Sequence, residues 1–234
     1  MRKTSVCRFV LFMAAVLVMG QPNLLFADGT SKLNESAQVL REIESIPEKG
    51  IPPQLFRNAY AIAVIPGLIK AGFIAGIRYG TGVLSINQGG KWSNPMFISM
   101  GGGSIGFQAG AESTDIVLVF KTPRGVEAIK KGKFTLGADI AVAAGPVGRH
   151  AEASTDVQLR AEIYAYSRSR GLFGGVAIEG AVLQIDHDAN GQFYGSKGWN
   201  PDDILAARVK TPAAASNFKK LLQTYSGSGG KKHR

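Results

Sequence analysis

Cysteine is nearly absent: the 234-residue chain has one, Cys7. It precedes an apolar run, whereas a lipid-carrying cysteine would follow one, and beyond it no disulfide, thiol nucleophile or thiolate metal site can form. Histidine is almost as scarce, with His150, His187 and His233 alone, and no H-E-x-x-H occurs. His150 with Glu152 and Asp156, or His187 with Asp186 and Asp188, can be drawn as sites, but polar loop clusters of this kind read as solvated turns. We therefore expect no enzyme, no metal and no cofactor. Acidic residues are missing from both ends. Residues 1–27 hold Arg2, Lys3 and Arg8, the tail from Ser226 holds Lys231, Lys232 and Arg234, and these account for six of the ten net positive charges. The folded body keeps only +4, so bulk basicity is weak support for an anionic partner.

The apolar run Phe9–Gly20 is too short to span a membrane but suits an export signal behind its basic start. Cleavage after Ala27 is the expected processing point, with an uncleaved interfacial anchor as the alternative. The expected organisation is a signal peptide over 1–27, one domain over 28–225 and a disordered basic tail over 226–234, exported to a bacterial periplasm.

Glycine is abundant, 30 residues without a collagen period, and marks backbone that bends or packs closely. Apolar spacing predicts an amphipathic helix over 31–46 and, after two prolines, a short one towards Tyr60. Short β-prone segments follow, at 61–65, 71–78, 82–87, 91–100, 105–111, 115–121, 133–136, 138–144, 163–167, 175–186 and 192–194. Asn87-Gln88-Gly89-Gly90 and Asp188-Ala189-Asn190-Gly191 read as hairpin turns. Helices are expected over 123–131, capped by Thr122 and stopped by Gly132, over 201–207 after Asn200, and over 212–225. Gly72-Phe73-Ile74-Ala75-Gly76 is echoed by Gly106-Phe107-Gln108-Ala109-Gly110, which we read as similar bends in one sheet. The fold class is α+β: a large, strongly bent, mainly antiparallel sheet, possibly barrel-like, covered by helices from both chain ends.

Two motifs fail on context. Gly101 to Gly106 has G-x-G-x-x-G spacing, but no helix follows to hold a pyrophosphate. Asp186 to Gly191 fits half a calcium loop, yet Lys197 stands where a bidentate carboxylate belongs. Basic residues cluster at Lys130, Lys131 and Lys133, at Arg168 and Arg170, and at Lys219-Lys220, with acids interspersed. Nucleic acid is not expected as a partner, because the aromatic RNA-binding strand signature is missing.

Gly72-Phe73, Tyr79-Gly80-Thr81-Gly82, Lys91-Trp92-Ser93-Asn94-Pro95, Ala144-Gly145-Pro146-Val147-Gly148-Arg149 and Tyr166-Ser167-Arg168-Ser169-Arg170-Gly171-Leu172-Phe173-Gly174-Gly175-Val176 occur in an order that resembles the SYLF domain, from about Leu33 to Leu222. The resemblance implies a non-enzymatic lipid- and membrane-binding module; eukaryotic relatives bind phosphoinositides, and some bind actin. It supplies no catalytic residues. Expected lipid contacts are Arg149, Arg168 and Arg170, which lie in the matching motifs, with Lys219, Lys220, Lys231 and Lys232. The alternative for the arginines is structural, capping carbonyls or pairing with Glu179. Residues 28–50 sum to −2, the wrong sign for an anionic surface. The expected partner is an anionic lipid or membrane surface; the alternative is a scaffold for an envelope protein or polymer, without lipid affinity.

Overall fold

The computed structural model describes residues 29–45, 50–72, 75–105, 110–147, 161–169, 172–195 and 200–227. Helix α1, Gly29–Glu44, buries Leu33, Ala37, Leu40 and Ile43 at the three- and four-residue spacing its sequence carries. Helix α2, Pro53–Arg57, starts on a proline, whose missing N–H costs nothing in a first turn. The strands are β1 Ala61–Gly72, β2 Ala75–Gln88, β3 Lys91–Trp92, β4 Met96–Ile105 and β5 Gly110–Phe120. Helix α3, Pro123–Lys130, precedes β6 Phe134–Thr135, β7 Val142–Ala144, β8 Ile163–Ser169, β9 Leu172–Gly175 and β10 Val182–Ile185. Helices α4 His187–Tyr194, α5 Pro201–Leu205 and α6 Ala213–Gly227 complete the order.

The strands form one curled sheet, ordered β6-β10-β4-β2-β1-β5-β8-β7, with β3 beside β2 and β9 beside β8. Every pairing is antiparallel except β7 with β8. This is the α+β half-barrel that the glycine-broken strands imply, and α1 and α6 pack against each other over it.

Several boundaries differ from the sequence expectation, each for a local reason. Pro66-Gly67, which falls between the segments expected at 61–65 and 71–78, is a bulge in β1, where the pairing shifts between Ile65 and Leu68. Gly82 of β2 makes room for it, since a side chain there would strike the Val64 carbonyl. The segments expected at 61–65 and 71–78 are thus parts of two long strands, β1 and β2. The segment 91–100 is split at Ser93–Pro95, where Asn94 is buried and Pro95 has no N–H to give a ladder. The segment 175–186 is split as well, because Gly180 turns with φ +75°.

The largest correction falls on 188–194. Neither the hairpin turn nor the strand at 192–194 forms; the segment is helix α4. Asp186 caps it by accepting from the Ala189 N–H at 2.9 Å, and Gly195 ends it in the left-handed region. Buried Asn190 accepts from the Phe97 N–H at 2.9 Å and donates to the Phe97 carbonyl at 2.7 Å. The acidic-looking loop is therefore a helix start in which Asp186 and Asn190 serve the backbone.

The Asn87–Gly90 hairpin forms as read, with Asn87 accepting from the Gly90 N–H at 2.8 Å. Asn200 caps α5 through the Asp203 N–H at 2.9 Å. Thr122 precedes α3, but its hydroxyl donates to Glu162 at 2.6 Å rather than capping. The last helix runs beyond its expected end at 225 to Gly227, and Ser226 accepts from the Trp92 indole at 3.1 Å.

Candidate functional site

The motifs that carry the family resemblance are mainly packing devices. A side chain at Gly145 would collide with the ring of Tyr166, and one at Gly175 would strike the Gly145 carbonyl. The Tyr166 ring stacks on Phe173 with centroids 5.5 Å apart, and its hydroxyl donates to the Pro146 carbonyl at 3.1 Å. Burial pushes that phenol's pKa up, so it stays neutral. The glycines of the two motifs thus let β7, β8 and β9 close on one buried tyrosine.

Arg168 is built into the frame. It pairs with Asp115 of β5 at 2.6 Å and with Glu42 in the last turn of α1, while Asp115 also accepts from the N–H of Gly67 in the β1 bulge at 2.9 Å. One guanidinium therefore joins α1 to the sheet beside the bulge. Its partners are these two acids rather than Glu179. Lys219 is similarly engaged, donating to Asn94 at 3.0 Å, and burial lowers its pKa. Asn94 also accepts from Thr211 at 3.0 Å. Lys220 is exposed. Arg149, Arg170, Lys231 and Lys232 lie outside the described residues, as do His150, Glu152, Asp156 and Lys197. Asn94→Ala is expected to release α6 from the loop before β4 and cost about 1–2 kcal/mol, read as a lower denaturant midpoint.

Within the expected basic cluster, Lys130 pairs with Glu127 at 2.9 Å and Asp202 at 2.7 Å, while Lys131 and Lys133 are exposed. Lys130 and its two partners line a groove of about 270 Å³ with Tyr60 and Arg208, and its mixed charge points to no ligand. Among the described residues no group of His, Cys, Asp or Glu is placed to hold a metal ion, and no helix is long and apolar enough to cross a membrane.

A surface feature missed in the sequence is the free end of β1 and β2. Ile69, Ile77 and Tyr79 are 54%, 69% and 56% exposed. Ile69 lies opposite Tyr79, and exposed Ala71 opposite Ile77, so the four share one face. Gly101 and Gly103 of β4 pair with Tyr79 and Ile77, and a side chain at Gly103 would meet nothing. The result is an open apolar strip with a flat glycine border. The alternation Ile77-Arg78-Tyr79 was the available signal, but the segments expected at 61–65 and 71–78 left Ile69 outside any strand.

Fold and surface together define a single α+β module built from a glycine-closed half-barrel. The family described as "Ysc84: Las17-binding protein actin regulator" matches residues 101–225. SH3 domain-containing YSC84-like protein 1 of Xenopus laevis is 36% identical over 83% of this chain and 60% of its own length. The Homo sapiens protein of that name is 35% identical over 83% and 58%, and Protein YSC84 of Saccharomyces cerevisiae is 34% identical over 88% and 46%. The chain belongs to the Ysc84/SYLF family and spans about 60% or less of the length of these relatives.

Proposed function

We propose that this protein is a non-enzymatic lipid-binding module that attaches peripherally to a membrane of the bacterial cell envelope. The observation that carries this reading is the strip of Ile69, Ile77 and Tyr79, which leaves three large apolar side chains together in solvent at one end of the sheet. The family's description as Las17-binding and the name of one yeast relative, LAS seventeen-binding protein 3, agree with a module that binds rather than reacts. The basic, then apolar N-terminus supports export, so the surface in question faces the periplasm. Exposed Lys220 and the tail's Lys231 and Lys232 add cations that favour anionic lipid.

A second reading, a scaffold for an envelope protein or polymer, draws on the family's description as Las17-binding. Cross-linking in cells followed by membrane removal separates the two: the lipid reading expects no defined adduct to survive, and the scaffold reading expects one. Export itself is checked by the mass of the purified protein, which should begin at Asp28.

A further inference from the structure

The way α1 sits on the sheet restricts how any flat surface can reach the strip. On β5, Ser113 and Asp115 point to one face, and Ser113 lies opposite Ile69. Asp115 holds Arg168, which holds Glu42 at the end of α1. At the helix's other end, Gly29 lies against Phe97, which pairs with Val83 on the Tyr79 face of β2. Both ends of α1 therefore stand on the strip's own face, the Glu42 end at Asp115, two residues from Ser113, and the Gly29 end at Phe97, whose partner Val83 is four residues from Tyr79. A helix with its side chains is about 10 Å across, so a planar surface lying flat on that face meets α1 before it meets Ile69 or Tyr79. Among the described residues, an approach along the strands, leading with the end of β1 and β2 at Ala71 and Ile77, is the one left open.

That end has the chemistry for an interface. From the Ile69–Tyr79 pair to the Ala71–Ile77 pair is two residues, about 7 Å of strand, which matches the roughly 5–10 Å that interfacial apolar groups reach into a bilayer. Tyr79 stands at the shallower level, where an amphipathic ring is favoured. Between the two levels, Lys70 and Arg78 lie opposite each other on the reverse face, with Glu112 across from Lys70. The sequences that join β1 to β2 and β4 to β5, Phe73-Ile74 and Gly106-Phe107-Gln108-Ala109, hold no charge.

The geometry points to edge-on insertion: the free end of β1 and β2 enters the membrane tip first, Ile77 and Ala71 reach the acyl boundary, Tyr79 and Ile69 sit at headgroup level, and Lys70 and Arg78 take lipid phosphates. This rests on the membrane reading above and adds a site, an orientation and a preference for anionic headgroups.

Depth-resolved fluorescence tests it. In the full-length chain with Cys7→Ser, a polarity-sensitive fluorophore is placed at Ile77→Cys, Tyr79→Cys or, at the far end of the sheet, Lys91→Cys. Vesicles of phosphatidylglycerol or phosphatidylcholine carry nitroxide quenchers at known depths. The expected result is a blue shift and the deepest quenching at position 77, shallower quenching at 79, none at 91, and binding about fivefold tighter to phosphatidylglycerol. Vesicle binding with equal depth at 77 and 79, or with no quenching at 77, overturns edge-on insertion while leaving the membrane reading in place. No vesicle binding by any variant or by the parent overturns the membrane reading itself. A blue shift without vesicles that grows with protein concentration assigns the strip to a second copy of the chain and overturns the proposal.

Discussion

Arg168→Met is expected to lower the unfolding free energy by about 2–3 kcal/mol, seen as a lower urea midpoint with an unchanged slope. The guanidinium serves Glu42 of α1 and Asp115 of β5 together, and the carboxylates are 34% and 17% exposed. Removing it leaves two half-buried anions facing each other. Breaking a fully buried pair costs about 3–5 kcal/mol, and the residual contact with water reduces that here. Asp115 keeps its bond from Gly67, so the damage should centre on the anchoring of α1. The same variant decides whether Arg168 serves lipid. If its stability equals the parent's and only vesicle binding falls, the residue is a headgroup contact; if stability falls as stated, it is part of the frame.

Glu44→Gln should stabilise the protein above neutral pH and change little in acid. Glu44 lies in the last turn of α1, which packs on α6, and it acts electrostatically on Tyr225 of that helix. One of its carboxylate oxygens is buried with no hydrogen-bond partner, and burial pushes its pKa up to about 7 from an ordinary value of 4.5. Between those two values the folded chain holds a proton that the unfolded chain has released. The contribution of Glu44 to stability is therefore fully present below about pH 4.5 and is lost as pH rises through 7, by about 2–3 kcal/mol in all. Glutamine removes the titration. At pH 8 the variant should melt roughly 5 °C above the parent, and at pH 4.5 the two should coincide. A parent whose melting point rises between pH 5 and pH 8 through this residue would contradict the assignment.

What the sequence disclosed follows from which interactions are local. Helix α1 was legible because Leu33, Ala37, Leu40 and Ile43 repeat along one stripe, and the Asn87–Gly90 turn because its chemistry is contained in four residues. Asn190 was not legible. Its two bonds to Phe97 span 93 positions, and without them Asp186 to Gly191 resembles any polar turn. The bulge at Pro66-Gly67 was hidden for a similar reason: proline and glycine break a strand pattern locally, and the room for the bulge lies at Gly82 on the neighbouring strand. The echoed glycine segments acquired a meaning from topology. Gly72 pairs with both Gly76 and Gly110, so the two similar sequences belong to the same end of the sheet, one joining the neighbours β1 and β2 and the other joining β4 to β5, the strands that flank that pair. Among the expected contact residues, Arg168 and Lys219 are held by protein partners, and Lys220 is open to solvent. The strip of Ile69, Ile77 and Tyr79 needed the register before its members could be seen together.

The claim that this family member meets lipid through the free end of β1 and β2 is tested most directly by flotation of the full chain with phosphatidylglycerol vesicles, comparing the parent with Ile77→Ser/Tyr79→Ser. Both positions are exposed, so the variant should unfold at the parent's midpoint. Removing this much apolar surface from the contact should weaken vesicle binding by tenfold or more, about 1.4 kcal/mol at the least. Equal flotation of the two proteins at equal stability would place the lipid contact elsewhere, and no flotation of either would contradict the account at its root.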